Sequence, residues 1–211
     1  GKGWLHKRIS FNTLFTSLRY LGFALAGKPY MGLGRNLAYR KELFFKQKGY
    51  STHLNLQRGE DDLFINQIAN TENTRVETNA RAIMRMQPIE RYKDWKEERV
   101  SYMATARYYK GAQRYLLGFE TCSRLLFYVA CIASIVFGII HSHWLVAGIA
   151  FFIWLLRYTV QAIVINKTAT DQEENRHYYF SLLLFDLLQP LQTLQFKLYR
   201  LYRGKGDFMR R

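Results

Sequence analysis

Between residues 125 and 156 the chain carries no Asp, Glu, Lys or Arg, and only His141, Ser142 and His143 interrupt the apolar run. One helix of that length would reach roughly 48 Å at about 1.5 Å per residue. A bilayer hydrocarbon core is about 30 Å thick, so a single straight span is too long. Two spans joined at the His-Ser-His turn fit, over residues 115–140 and 144–165. Trp144 stands where an interfacial aromatic belongs, and Arg124 and Lys167 can flank the spans or snorkel. A buried helix pair in a soluble domain rarely hides so long an uncharged run. The run lies mid-chain, which excludes a signal peptide.

A third apolar stretch, residues 178–201, contains Asp186, Gln189, Pro190, Gln192, Gln195 and Lys197. Pro190 predicts a break or kink. The tail is basic through Lys197, Arg200, Arg203, Lys205, Arg210 and Arg211, and residues 1–114 are strongly basic too. The excess of Lys and Arg places both on the cytoplasmic side. Two full spans return the chain there, so the third stretch reads as a kinked, re-entrant or interface-lying helix. Arg157 and Asp186 are ionisable residues at membrane depth, where such groups are costly and often functional. They face each other or a glycan path, or else Arg157 snorkels and Asp186 lies at an interface.

The balance of 31 Lys+Arg against 16 Asp+Glu gives a net charge of +15. A basic balance permits nucleic-acid binding, but membrane spans account for it at least as well, and no nucleic-acid partner is expected. Hydrophobic residues at 49% and aromatics at 16% exclude a disordered tail. Two cysteines, Cys122 and Cys131, exclude a disulfide scaffold.

Residues 1–114 are of mixed charge, with turn signals and short apolar runs. Residues 11–26 have apolar side chains at helical spacing, ended by Gly27-Lys28-Pro29. Residues 34–39 (GRNLAY) read as a short strand after a Gly-Leu-Gly turn. Residues 41–48 read as a short helix stopped by Gly49. Gly59-Glu60-Asp61-Asp62 opens a helix running to about Ala69, with acidic residues suited to its first turn. Residues 75–86 alternate and predict one or two short strands before Pro88. Residues 91–114 predict a helix leading into the first span.

Three constellations could carry chemistry. Glu60, Asp61 and Asp62 sit together at a loop-to-helix junction; mutual repulsion makes full ionisation costlier, and one of them could act as general base toward a hydroxyl. Helix capping explains the same residues. Residues 32–39 (GLGRNLAY) offer close backbone approach at Gly32 and Gly34 and a polyol contact at Asn36. The third glycine of a dinucleotide fingerprint is missing, and a turn before a strand explains this motif equally. The helix bearing Trp95, Lys96, Glu98, Arg99, Tyr102, Arg107, Tyr108, Tyr109 and Lys110 offers stacking faces and cations, as does a helix lying on anionic lipid. His6, His53, His141, His143 and His177 lack metal-ligand spacing.

In order, G-x-G-x-N-L-A-Y at residues 32–39, a short helix ending Gly49-Tyr50, Gly59-Glu60-Asp61-Asp62-Leu63, Trp95 on a basic helix and then membrane helices resemble one family. It is the C-terminal half of membrane-bound family 2 glycosyltransferases, similar to bacterial synthases of envelope and exported polysaccharide. The resemblance covers nearly the whole chain. It implies a partial GT-A domain of α/β class, mostly helical here, over residues 1–114, and membrane helices with a basic cytoplasmic tail over 115–211. It implies inverting transfer from a nucleotide sugar to a glycan or lipid-linked acceptor, with a divalent metal, Mg or Mn, at the departing diphosphate. Asp61 takes the catalytic base position beside Glu60, with Asp62 the adjacent alternative. Gly34, Asn36 and Trp95 take substrate-binding positions. Placement in a bacterial inner membrane, catalytic part toward the cytoplasm and in contact with lipid, follows from the same likeness.

Two departures accompany it. The family's nucleotide-binding strands and DxD metal motif lie N-terminal to what is present. The chain begins Gly-Lys-Gly inside a continuing fold, so it reads as a fragment that binds neither donor nor metal alone. The Q-x-x-R-W motif of processive members aligns with residues 98–102, where Glu98, Ser101 and Tyr102 replace Gln, Arg and Trp. The competing expectation is a non-catalytic membrane protein whose basic cytoplasmic domain binds lipid or a partner.

Overall fold

The computed structural model describes residues 3–56, 58–172, 176–203 and 208. Its α-helices are α1 (Trp4–Leu25), α2 (Lys41–Lys46), α3 (Asp62–Ile68), α4 (Tyr92–Thr105), α5 (Gln113–Ile140), α6 (Trp144–Asp171) and α7 (Tyr179–Arg203). The chain divides into two compact units. One comprises Gly1–Arg114 with Leu194–Arg211, the other Tyr115–Thr193. Of the basic tail, Lys205, Arg210 and Arg211 lie outside the described residues.

The first unit is built on aromatic packing. Phe64 of α3 is fully buried, and the rings of Tyr39, Phe44 and Tyr50 surround it at 4.8, 5.7 and 5.7 Å. These contacts clamp the short helices α2 and α3, which are too brief to be stable alone. Lys48 and Gly49 both take positive φ after α2, and a Cβ at Gly49 would lie 2.8 Å from the Phe44 ring. The glycine that stops α2 is thus also the one that lets the chain close over Phe44. Tyr30 is buried edge-on to Phe23 and Tyr109. Asn66 donates to Tyr30 O at 2.8 Å and accepts from Lys110 N at 2.7 Å. One amide thereby pins two loops to α3. The end of α7 packs on α4 through Phe196 and Trp95, whose rings meet edge to face at 5.8 Å.

No β-strand forms among the described residues. Residues 34–39 were expected as a strand; they form a 3-10 turn at Gly34–Asn36 followed by unpaired extended chain. Residues 75–86, expected as one or two strands, run extended around a 3-10 turn at Ala80–Ala82. Side chains replace a sheet ladder between the two segments. Asn36 Nδ2 donates to Ala82 O at 2.9 Å, and Arg35 Nη1 reaches Met86 Sδ at 2.8 Å. Alternation in sequence supplies the period of a strand but not a partner for its backbone groups. The long helix expected over 91–114 also divides. It ends at Thr105, continues as a 3-10 turn over Ala106–Tyr108, and α5 starts afresh at Gln113 beyond Gly111 at φ +85°.

In the second unit, α5 and α6 are each long and apolar enough to cross a membrane, and most of their side chains face outward. The turn between them falls at His141-Ser142-His143, with Ser142 at φ +56°. A Cβ at Gly138 would stand 2.9 Å from Ala147, so the two helices approach closely beside the turn. Cys131 lies close to Ala150 O, Sγ to O 3.4 Å. Helix α7 runs unbroken through Pro190. The ring removes one backbone donor, and beside it Thr193 Oγ1 returns a bond to Gln189 O at 2.9 Å.

Candidate functional site

Asp61 lies at the start of α3, which follows Gly59 at φ +126°. Its two carboxylate oxygens are divided between two chain segments. Oδ1 accepts from Asp62 N at 2.8 Å, capping α3, and Oδ2 accepts from Gly34 N at 2.7 Å. A Cβ at Gly34 would sit 3.3 Å from Asp61 Oδ2, so a side chain there would crowd the carboxylate. The two motifs separated by 27 residues therefore meet at one carboxylate, which remains half-buried rather than enclosed.

Asp62 has the opposite environment. It is 1% exposed. Oδ1 accepts from Leu63 N at 2.8 Å; Oδ2 accepts from Tyr109 OH at 2.8 Å and from Thr105 Oγ1. Burial raises its carboxyl above the ordinary carboxylate range, and the Thr105 and Tyr109 hydroxyls oppose that rise. Burial also drives the Tyr109 phenol upward, and the neighbouring Asp62 charge adds to it. Asp62 thus ties α3 to the end of α4 and the turn beyond.

Around Asp61 the side chains alternate in sign. Arg35 is ion-paired with Glu98 of α4. Arg58 lies over the Tyr102 ring, 5.1 Å from its centroid. The Tyr102 phenol is raised chiefly by burial; Arg35 and Arg58 pull it down while Asp61 and Glu98 push it up. Those four charged groups therefore share one electrostatic neighbourhood. On another flank Tyr39 and Tyr50 join hydroxyls at 2.9 Å, and Tyr50 is pushed up to about 12, first by that bond, then by burial and by Tyr39, Glu60 and Asp61. Burial lowers His53, against a pull upward from Glu60.

The remaining candidates separate. Glu60 is exposed beside Asp61. Asn36 spends its amide nitrogen on Ala82 O. Trp95 is 2% exposed and packs against Phe196 and Tyr92, with Arg8 over its ring at 5.9 Å. It serves as core of the first unit and offers no open stacking face. From α4 it is Glu98 and Tyr102, one helical turn apart, that reach toward the Asp61 neighbourhood. Arg35 and Arg58 escaped the sequence reading; the available signal was a basic residue beside each motif. Among the described residues no three His, Cys, Asp or Glu side chains gather in a way that could hold a metal ion.

The second unit holds a buried ionic cluster. Asp186 of α7 accepts from Arg124 Nη1 at 2.8 Å on Oδ1, and from Arg157 Nη2 at 3.2 Å and the Tyr128 hydroxyl on Oδ2. Arg124 also bonds Gln189 and pairs with Glu120 at 2.7 Å. Arg157 and Asp186 face each other, one of the two arrangements the sequence allowed. Asp186 is 2% exposed.

Comparison with protein-family models, with curated proteins and with solved structures gives no match to this chain.

Proposed function

We propose that residues around Asp61 form the acceptor side of an inverting, membrane-bound glycosyltransferase. Asp61 removes the proton from an acceptor hydroxyl on a glycan or lipid-linked saccharide. The oxygen attacks the anomeric carbon of a nucleotide sugar, the bond to the leaving diphosphate breaks, and the nucleoside diphosphate departs with the electron pair. One observation carries the reading: the Gly34 amide on Asp61 Oδ2 joins two motifs that the family resemblance assigns to a single site. Glu98 and Tyr102, at the positions aligned with the Q-x-x-R-W motif, share that neighbourhood. Gly34 fixes the carboxylate and leaves it half-buried, as a base that must meet a hydroxyl requires. Arg35 and Arg58 set the local charge.

The donor nucleotide and its metal have no motif in this sequence. The test uses the intact gene product in membranes, assayed for release of nucleoside diphosphate and for saccharide product. Asp61→Asn is expected to abolish transfer with membrane insertion unchanged; sustained turnover in that variant refutes the assignment. The wider reading places the protein in a bacterial inner membrane, α5 and α6 spanning and the first unit cytoplasmic.

A second reading draws on the bond from Asp62 N to Asp61 Oδ1, which makes Asp61 a helix cap. On it the chain is a non-catalytic membrane protein whose basic first unit binds lipid or a partner. It predicts that Asp61→Asn lowers stability slightly and changes no turnover.

A further inference from the structure

The ionic cluster of the second unit contains more donors than its carboxylates occupy. Asp186 is shared by two guanidiniums. Glu120 pairs with Arg124. Gln161, with its amide turned to satisfy both neighbours, donates to Asp186 Oδ2 and accepts from Arg157 Nη2, each at 3.1 Å. Arg157 Nε remains buried without a hydrogen-bond partner. A buried donor without a partner is expensive, because it gives up hydration without return. The guanidinium is nevertheless held in place, 4.6 Å from the Phe127 ring centroid and 5.5 Å from that of Tyr128.

Arg157 lines a small cleft with Tyr128 of α5, Gln161 of α6 and Asp186 of α7. Trp154 and Tyr158 wall it with nearly parallel rings, 6.0 Å apart at 11°. Tyr158 is fixed by its hydroxyl bond to Tyr179 O at 3.0 Å. Leu182 and Leu183 close the α7 side. The cleft thus joins a cation with spare donor capacity to aromatic and aliphatic walls. Its depth can be estimated from the turn at residues 141–143. Arg157 is 13 residues beyond Trp144, about 20 Å of helix, and Arg124 is 16 residues before Ile140, about 24 Å. Across a hydrocarbon core about 30 Å thick, both lie toward the leaflet opposite the turn, where long side chains reach headgroup level.

We propose that this cleft binds the phosphate of an anionic membrane phospholipid, with Arg157 as its charged donor and the acyl chains running along the exposed Leu183 and Leu187 side of α7. Asp186 lines the same cleft, and its charge is offset by the two guanidiniums around it. The site is independent of glycosyl transfer and rests only on the membrane placement of α5 and α6. Alkaline extraction of membranes tests that placement separately: release of the protein removes the placement itself.

Binding is tested on the whole chain in detergent micelles by native mass spectrometry, with phosphatidylglycerol, diacylglycerol and inorganic phosphate as probes. Arg157→Gln removes the donor. Leu183→Trp fills the cleft while leaving the Arg157–Asp186 pair intact, and covers the case in which the first variant misfolds. The expected result is a phosphatidylglycerol adduct favoured over diacylglycerol and weakened about tenfold in each folded variant. Equal retention of diacylglycerol, or adducts unchanged by Leu183→Trp, overturns the proposal. Occupancy by inorganic phosphate with no preference for phosphatidylglycerol makes it a free-anion site and overturns the lipid source.

Discussion

The Gly34 amide and the Asp61 carboxylate are joined at 2.7 Å across 27 residues of sequence. A backbone donor fixes Asp61 more rigidly than a side chain could, and a Cβ at Gly34 would crowd that approach. The first prediction follows at that glycine. In Gly34→Ala the new Cβ stands 3.3 Å from Oδ2, so the bond must lengthen or the carboxylate must turn. If the proposed glycosyl transfer holds, turnover is expected to fall about tenfold or more, since small misplacements of a reacting group are costly. Steady-state kinetics should show the loss in kcat, with KM little changed and the protein still folded by circular dichroism. A wild-type kcat in Gly34→Ala detaches the contact from catalysis.

Asp61 and Asp62 are neighbours with divided roles. Asp61→Asn should remove about 10²- to 10⁴-fold of transfer, the range for a general base. Asp62→Ala should act on stability instead, because it strands the buried Tyr109 hydroxyl and leaves Thr105 without its carboxylate, at about 1–3 kcal/mol. Thermal unfolding and turnover measured side by side separate the two. If both variants lose activity and neither loses stability, the division is wrong.

The Asp62 environment also sets a pH dependence. Its native carboxyl is raised above the unfolded value of about 3.9. A raised carboxyl means the native state holds the proton more tightly. Its contribution to stability is present in full below about pH 3.9 and is lost as pH rises through the native value. Asp62→Asn cannot titrate. The gap in unfolding temperature between wild type and Asp62→Asn should therefore change with pH over that window and level off above it. A gap constant across the window contradicts the raised carboxyl.

Removing Asp186 should be worse than removing either arginine. Asp186→Ala leaves buried Arg124 and half-buried Arg157 without their shared carboxylate, at about 3–5 kcal/mol for the broken buried Arg124 pair. Detergent-solubilised Asp186→Ala should lose yield and unfold at lower temperature than Arg157→Gln, which still leaves Asp186 paired with Arg124. The reverse order would mean the carboxylate is not the centre of the cluster.

Trp95→Ala should destabilise by about 3–5 kcal/mol through the lost Phe196 contact. Trp95→Phe should recover most of the stability and the activity. A selective rise in KM for Trp95→Phe would restore Trp95 as a contact to substrate.

The two long apolar helices were legible because their signal is local and large. The charge-free run, its length and the His-Ser-His interruption fix two helices and the turn between them whatever the rest of the chain does. The start of α3 at the Gly-Glu-Asp-Asp run and the end of α2 near Gly49 were legible for the same reason, since caps and stops depend on adjacent residues. The strands were not, because alternation along residues 75–86 cannot say whether another segment offers its backbone for pairing. At Pro190 the expected break does not occur, because a helix of 25 residues tolerates one missing donor.

What the sequence alone determined is therefore where the apolar helices run, where the charge lies and which acidic turn starts α3. Tertiary structure decided the rest. It divided Asp61 from Asp62, the one half-buried on Gly34 and the other enclosed by Thr105 and Tyr109. It turned Trp95 inward and brought Glu98 and Tyr102 to the site from the same helix. It closed two arginines on Asp186. Each of those outcomes depends on a partner 27 or more residues away, and burial and charge pairing at that distance have no signature in local composition.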